Sequence, residues 1–303
     1  MTGLLFASLA ATLAAGPSPG APAAAEIPPY SEALARERGP TEAPFRVTYR
    51  SANKVLTFVG ADHVFTRENS TVDVVRRAFD DLDPFVVIVE GFPTALGKNF
   101  APIADAARRR ERADADAFAL SEAVFAASLA LARDVPFYGG EPSLAEELDG
   151  LVAKGYERGN VQFAVLLRTL GQARRSGEMP VGDPAAFTAR FAREADAVAR
   201  MAGTAPATES QFVADYRRIV GVDPVSDDRM PRRYDPGTGT LLQRMAADNM
   251  RVRDEHLLST ILEQLAAHDR VLVVYGSSHW TTLSRALETR LGKPKIVAGT
   301  AAR

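Results

Sequence analysis

The sequence predicts an α/β protein: a mostly parallel central sheet flanked by helices, with a long helical insertion. Three observations lead there. Residues 85–89 are a continuous apolar run of the kind that fills a strand buried on both faces of a parallel sheet, and residues 271–275 are a second apolar run that reads as a strand. Between such runs lie stretches with apolar residues at helical spacing, so strands and helices alternate. The stretch from about residue 143 to 239 is too long and too helical for a simple crossover, which marks it as an insertion forming a lid or side subdomain.

Taken in order, residues 1–25 read as a leader. An apolar run at residues 4–15 precedes a Gly-, Pro- and Ala-rich stretch, and it is shorter than the roughly 20 residues a membrane span needs. Small residues before Glu26 fit a signal-peptide cleavage site and hence export, periplasmic or secreted. No Lys or Arg precedes the run, and a disordered Ala/Pro leader is the competing reading. Residues 26–303 then form one domain.

After a short helix near residues 31–38, residues 45–50 and 54–59 read as strands of a hairpin. Residues 70–73 open a helix with Ser and Thr at its start, and Asp83-Pro84 closes it. Residues 85–89 form the next strand, 103–133 two helices, and 137–141 a strand with its turn. Residues 143–200 are helical throughout, and 203–239 form a loop-rich connector with one helix near 211–219. A long helix at 241–267, a strand at 270–275, a helix at 280–291 and a short strand at 295–297 complete the chain.

Composition narrows the function. The chain has 303 residues, 46% of them hydrophobic, which is ample for a core. Lys and Arg number 36 against 38 Asp and Glu, so neither nucleic acid nor an anionic membrane surface is an expected partner. The cluster Arg108, Arg109, Arg110 and Arg112 is followed at once by Asp114 and Asp116 and reads as a solvated helix face. With no cysteine, disulfides, thiolate metal sites, Cys nucleophiles and an acylated lipoprotein anchor are excluded.

The chemistry-bearing residues gather at strand ends. Two of the four histidines sit in a repeated frame of basic residue, apolar run, Gly, two small or polar residues, and His: Gly60 to His63, and Gly276 to His279. Ligands of α/β sheets bind at the carboxyl ends of strands, and His63, Glu90, Glu141 and His279 all fall there. A lone strand-end histidine is more often structural than functional. Four such residues from four strands are the pattern of a shared site. In the long helix, steps of four align Met245, Asn249, Arg253, Leu257, Ile261 and Leu265, so Arg253 shares an otherwise largely apolar stripe and needs carboxylates or a bound anion. Such an arginine either anchors the helix through an internal ion pair or orients Glu90 or Glu141 within a pocket. His256 lies off the stripe, and His268 ends the helix, where a cation favours the dipole. Asp62, Ser277 and Ser278 are candidates to support the histidines. Ser278 lacks the Gly-x-Ser-x-Gly elbow of a nucleophile.

These residues resemble the TraB/Tiki superfamily, which is related to erythromycin esterases and ChaN-type haem-uptake proteins. The ordered set is a hairpin, Gly60 to His63, Glu90, Glu141, Arg253-Asp254-Glu255-His256-Leu257, and Gly276 to His279, across about residues 45–297. Departures are Ala61-Asp62 before the first histidine and Trp280-Thr281 after the second. The resemblance implies a metal-dependent, peptidase-like hydrolase acting on a peptide or small ester. In it His63, Glu90 and His279 bind a divalent ion (Zn, Mn, Co or Fe), Glu141 is the general base and Arg253 steadies the oxyanion. The alternatives are a metal-free esterase using His63 as base, or a non-enzymatic haem- or ligand-binding envelope protein.

Overall fold

The computed structural model describes residues 27–39, 42–62, 70–101, 104–105 and 121–298. The leader expected at residues 1–25, and the arginine cluster at 108–112, lie outside them. Strands β1 (Phe45–Ser51) and β2 (Lys54–Ala61) form the expected hairpin, pairing antiparallel from Phe45 opposite Gly60 to Ser51 opposite Lys54. Strands β3 (Val86–Pro93), β4 (Phe137–Glu141) and β5 (Arg270–Gly276) join parallel to β2, and β6 (Lys295–Ala298) pairs with the outer side of β1. The mixed, mostly parallel six-stranded sheet runs β4-β3-β5-β2-β1-β6, and among the described residues β1 alone runs against the rest.

Nine α-helices surround it among the described residues: α1 (Glu32–Arg38), α2 (Ser70–Leu82), α3 (Glu122–Ala132), α4 (Leu144–Ala153), α5 (Arg158–Arg175), α6 (Pro184–Ala202), α7 (Glu209–Val220), α8 (Leu241–Ala267) and α9 (Ser277–Leu291). None of the described helices is long and apolar enough to cross a membrane.

Alternation along the inner strands fills both faces of the sheet. Leu272 and Val274 of β5, with Val87 and Val89 of β3, pack beneath α2 and α3. Val271, Val273 and Tyr275, with Val86 and Ile88, pack on the opposite face beneath α8 and α9. Side chains of successive strand residues point to opposite faces, so an unbroken apolar run is what a strand covered on both sides requires. Phe85, expected in β3, instead precedes it: it is 44% exposed, and the guanidinium of Arg270 lies 3.8 Å from its ring centre. One face of the strand start meets solvent, and a stacked cation covers the ring there.

This arrangement creates a crevice. After β3 the chain turns to α3 on one face, and after β5 it turns to α9 on the other. Neighbouring strands whose connections leave in opposite directions part at their carboxyl ends, and that switch point is where α/β sheets bind ligands. Here it lies between Glu90 and Gly276.

The expected insertion comprises α4 to α7, closed by a 3-10 turn at Met230–Arg232, and the stretch 143–200, read as helical throughout, is divided into three helices by turns at Gly155 and at Gly177 and Gly182, each at positive φ. Phe163, Phe187, Phe191, Phe212 and Tyr216 form its aromatic core. Helix α8 connects the two bodies. Thr240 and Gln243 cap its start reciprocally; Leu242 and Met245 pack into the insertion's core, whereas Leu257, Leu258, Ile261 and Leu265 pack onto the sheet. Arg253 and Asp254 stand at the hand-over.

Gly140 precedes Glu141 where there is no room for a side chain: a Cβ would come within 2.8 Å of both Ile88 and Tyr275. Gly140→Val is expected to lower stability by about 1–3 kcal/mol through overpacking, read as an earlier urea midpoint with an unchanged slope.

Candidate functional site

The switch point gathers four of the five residues singled out from the sequence. Glu90 does not simply follow its strand: it sits within β3, where the ladder to β4 passes from Val89–Gly139 to Pro93–Glu141 and leaves extra residues in a bulge. Gly91 makes the bend with φ +86°, a conformation costly for residues with a Cβ. Glu90 Oε2 thereby accepts the backbone N–H of Gly276 at 2.6 Å across the crevice. Gly276 is the N-cap of α9, so a carboxylate meets the positive end of that helix.

His279 also departs from expectation. Helix α9 begins at Ser277, directly after β5, so His279 lies in its first turn and not in an extended strand end. With Gly276 as the N-cap, the chain passes from strand to helix without a loop. Trp280, fully buried, holds that turn in place: its indole N–H donates to Tyr49 Oη of β1 at 3.0 Å, and its ring meets Phe45 edge-on. His279 is then buried, with Nδ1 2.5 Å from Asp254 Oδ1 and Nε2 3.5 Å from Glu90 Oε1.

Arg253 joins the two glutamates. Its Nε and Nη2 donate to the two oxygens of Glu141 at 2.7 and 2.6 Å, and Nη2 also reaches Glu90 Oε1 at 3.1 Å. The expected stripe of α8 is buried on either side of it. Asp254, one residue on, points to α9, accepting from Thr282 Oγ1 at 2.6 Å through its other oxygen. Consecutive helix residues diverge by about 100°, so this pair clasps the strand ends with one side chain and α9 with the other.

The electrostatics follow from burial. Desolvation would push the Glu141 carboxyl up, but the Arg253 guanidinium outweighs it and holds the group below its ordinary range. Burial alone would lower the His279 pKa; Asp254, with help from Glu90, raises it to about 10. Three carboxylates, those of Glu90, Glu141 and Asp254, thus surround one guanidinium and one imidazole. With a neutral imidazole the cluster is short of positive charge, and His279 is where more can be taken up.

Asp254 and Thr282 were missed as members of this site. The signal for Asp254 was its place beside Arg253, an acidic residue entering a buried helix; Thr282 carried none beyond standing one turn after His279. His256, off the stripe, is half-buried with Nε2 2.9 Å from Thr94 Oγ1. Thr94 gives its hydroxyl proton to the Gly139 carbonyl at 2.8 Å, so His256 donates from Nε2, and burial keeps it below its ordinary pKa. His268 is the C-cap of α8. Asp62 meets Thr71 through its backbone, and among the described residues no side chain of Asp62, Ser277 or Ser278 hydrogen-bonds to the cluster. His63, the remaining expected ligand, lies outside the described residues.

Compared with known proteins, the chain matches no protein-family model, no curated protein and no solved structure.

Two outcomes follow from the charges. The folded pKa of His279 exceeds its unfolded value, so its contribution to stability is complete below about pH 6.5 and is lost as pH rises through about 10. In chelator, the unfolding free energy should therefore fall between pH 7 and 10, and His279→Gln should flatten that slope in urea titrations. Asp254→Ala should cost about 3–5 kcal/mol by leaving a buried charge without its partner, and NMR should show the His279 pKa falling.

Proposed function

We propose that the chain is a hydrolase of the type the TraB/Tiki resemblance implies, acting on a peptide or small ester in the β3–β5 crevice with a divalent ion held there. The observation that carries this reading is the cation-poor cluster around His279. Its Nδ1 is engaged by Asp254, which leaves Nε2 turned toward the Glu90 carboxylate. A carboxylate on the far nitrogen is how metal-binding imidazoles are oriented and made more basic. An imidazole and a carboxylate converging in a buried, net-negative place suit Zn, Mn, Co or Fe.

His279 and Glu90 would hold the ion, with His63 as the third donor. Among the described residues no three such side chains converge, which makes the His63 contribution essential to this reading. When bound, the ion would supply a water whose pKa is lowered towards about 7.

The chain's own residues supply the rest. Asp254, itself steadied by Thr282, sets the rotation of the His279 ring. The Gly276 N–H fixes Glu90 by one oxygen. Arg253 offers a preorganised positive charge to a substrate oxygen that becomes anionic. Glu141, whose carboxyl is held low with both oxygens on Arg253, is a poor base near neutral pH. We therefore assign it to holding Arg253 in place of the general-base role.

One observation favours the metal-free esterase as a second reading. The raised pKa of His279 means that a proton by itself can supply the missing charge and close the network. Elemental analysis of protein purified without added metal, followed by hydrolysis assays over peptides and esters with and without chelator, separates the two. The metal reading expects about one bound ion per chain. It expects His279→Ala and Glu90→Gln to lose that ion and at least a hundred-fold in rate while retaining the far-UV circular dichroism of the fold. Full activity in metal-free protein would refute it.

Arg253→Lys gives a separate outcome. A single ammonium cannot reproduce the forked contact with Glu141 and Glu90, so kcat should fall at least ten-fold while the variant remains folded.

A further inference from the structure

Arg253 has a second environment. Besides the glutamates, it lines a cavity of about 170 Å³ between α5, the 3-10 turn and α8. Asn249 and Arg253 stand one turn apart on the same face of α8, and Met230 and Tyr234 lie across from them. Arg175, exposed, stands at the mouth.

The cavity contains unmet polar groups. Asn249 is 3% exposed, yet its Oδ1 has no hydrogen-bond partner; the buried hydroxyl of Tyr234 faces the Asn249 amide nitrogen without closing a well-formed bond, and its own proton is left unplaced. The amide nitrogen of Asn249 faces Glu147, whose ionised form it favours, so the carbonyl end is the one left open. Arg168 is locked end-on to Glu147 by two hydrogen bonds. A buried acceptor left unmet has given up its hydrogen bonds to water with nothing in return. A folded chain that retains one beside a cavity is built to receive a donor there.

We propose that this cavity is a binding subsite for a neutral secondary amide, the unit of a peptide backbone. The amide N–H donates to Asn249 Oδ1. The amide oxygen accepts from the Tyr234 hydroxyl or from guanidinium N–H groups of Arg253 not used by the glutamates, and Met230 and Leu167 flank its alkyl ends. The guanidiniums of Arg168 and Arg253 already have carboxylate partners, and exposed Arg175 donates to the Pro231 carbonyl at 3.1 Å, so the buried part of the subsite calls for a dipole and not for an anion. The volume agrees: a cavity of about 150 Å³ accepts a benzene-sized molecule. An ester has the same shape and oxygen but lacks the N–H, leaving Asn249 unmet. This deepens the hydrolase reading by favouring peptides over esters, yet it rests on different residues.

The test compares N-methylacetamide with methyl acetate, two molecules of equal size that differ in the N–H. Titrations of the full chain followed by NMR, reading the ring signals of Tyr234 and the methyl signal of Met230, which line the cavity in every variant, should show the amide binding about ten- to a hundred-fold more tightly. Asn249→Leu should abolish that preference, and Asn249→Asp, which keeps an acceptor, should retain it if the leucine variant fails to fold. His279→Ala should leave the preference intact, because His279 does not line the cavity. Equal binding of both probes, or binding of neither, would overturn the proposal. An amide preference in a chain that binds no metal and hydrolyses nothing would leave the subsite standing and remove the hydrolase reading.

Discussion

The guanidinium of Arg253 is the group around which the rest of the structure is arranged. A buried charge is tolerated only when paired and hydrogen-bonded, and removing its partner costs about 3–5 kcal/mol. Satisfying Arg253 requires the ends of β3 and β4 and the middle of α8 to meet within hydrogen-bond distance. The bulge at Gly91 and the bare backbone at Gly140 are the local adjustments that allow it. Apolar packing gives α8 its place on the sheet; the ion pairs set its rotation and height.

That helix also explains why two cores act as one molecule. Its first half is packed into the aromatic core of the insertion and its second half against the sheet. The charged pair at the change-over divides the work: Arg253 reaches the strand ends, and Asp254 reaches His279 and Thr282. A polar residue at such a point has no continuous apolar surface to interrupt, so the junction is the least costly place for a site. The cavity beside Asn249 opens from the same junction.

Charge balance unites the crevice. Three carboxylates cannot share a desolvated space with one guanidinium unless a further positive charge is drawn in. His279 meets that need by holding a proton up to about pH 10, and a metal ion would meet it at the same nitrogen. The helix N-terminus of α9 adds a partial positive charge through the Gly276 N–H. Proton, ion and helix dipole are three answers to one electrostatic demand.

Much of this was legible in the residues. The apolar runs at 85–89 and 271–275 announced buried strands, because alternation of side chains across a covered sheet leaves no polar position. The stripe at four-residue steps through Met245, Arg253 and Leu265 announced a buried arginine, because helical spacing is a local property of the chain. Glu90, Glu141, Arg253 and His279 could be named for the same reason: each sits beside a glycine, three residues after one, or within a periodic pattern. What spacing could not supply was partnership. That Asp254 would take His279, that Glu90 would cap α9 and that Glu141 would be spoken for by Arg253 depend on groups up to 186 positions apart being brought together. Strand order decides that, and strand order is settled by packing two faces at once. Local spacing settles which groups must be buried and therefore need partners; the folded arrangement chooses those partners, because desolvated charges are paired by proximity in space and not along the chain.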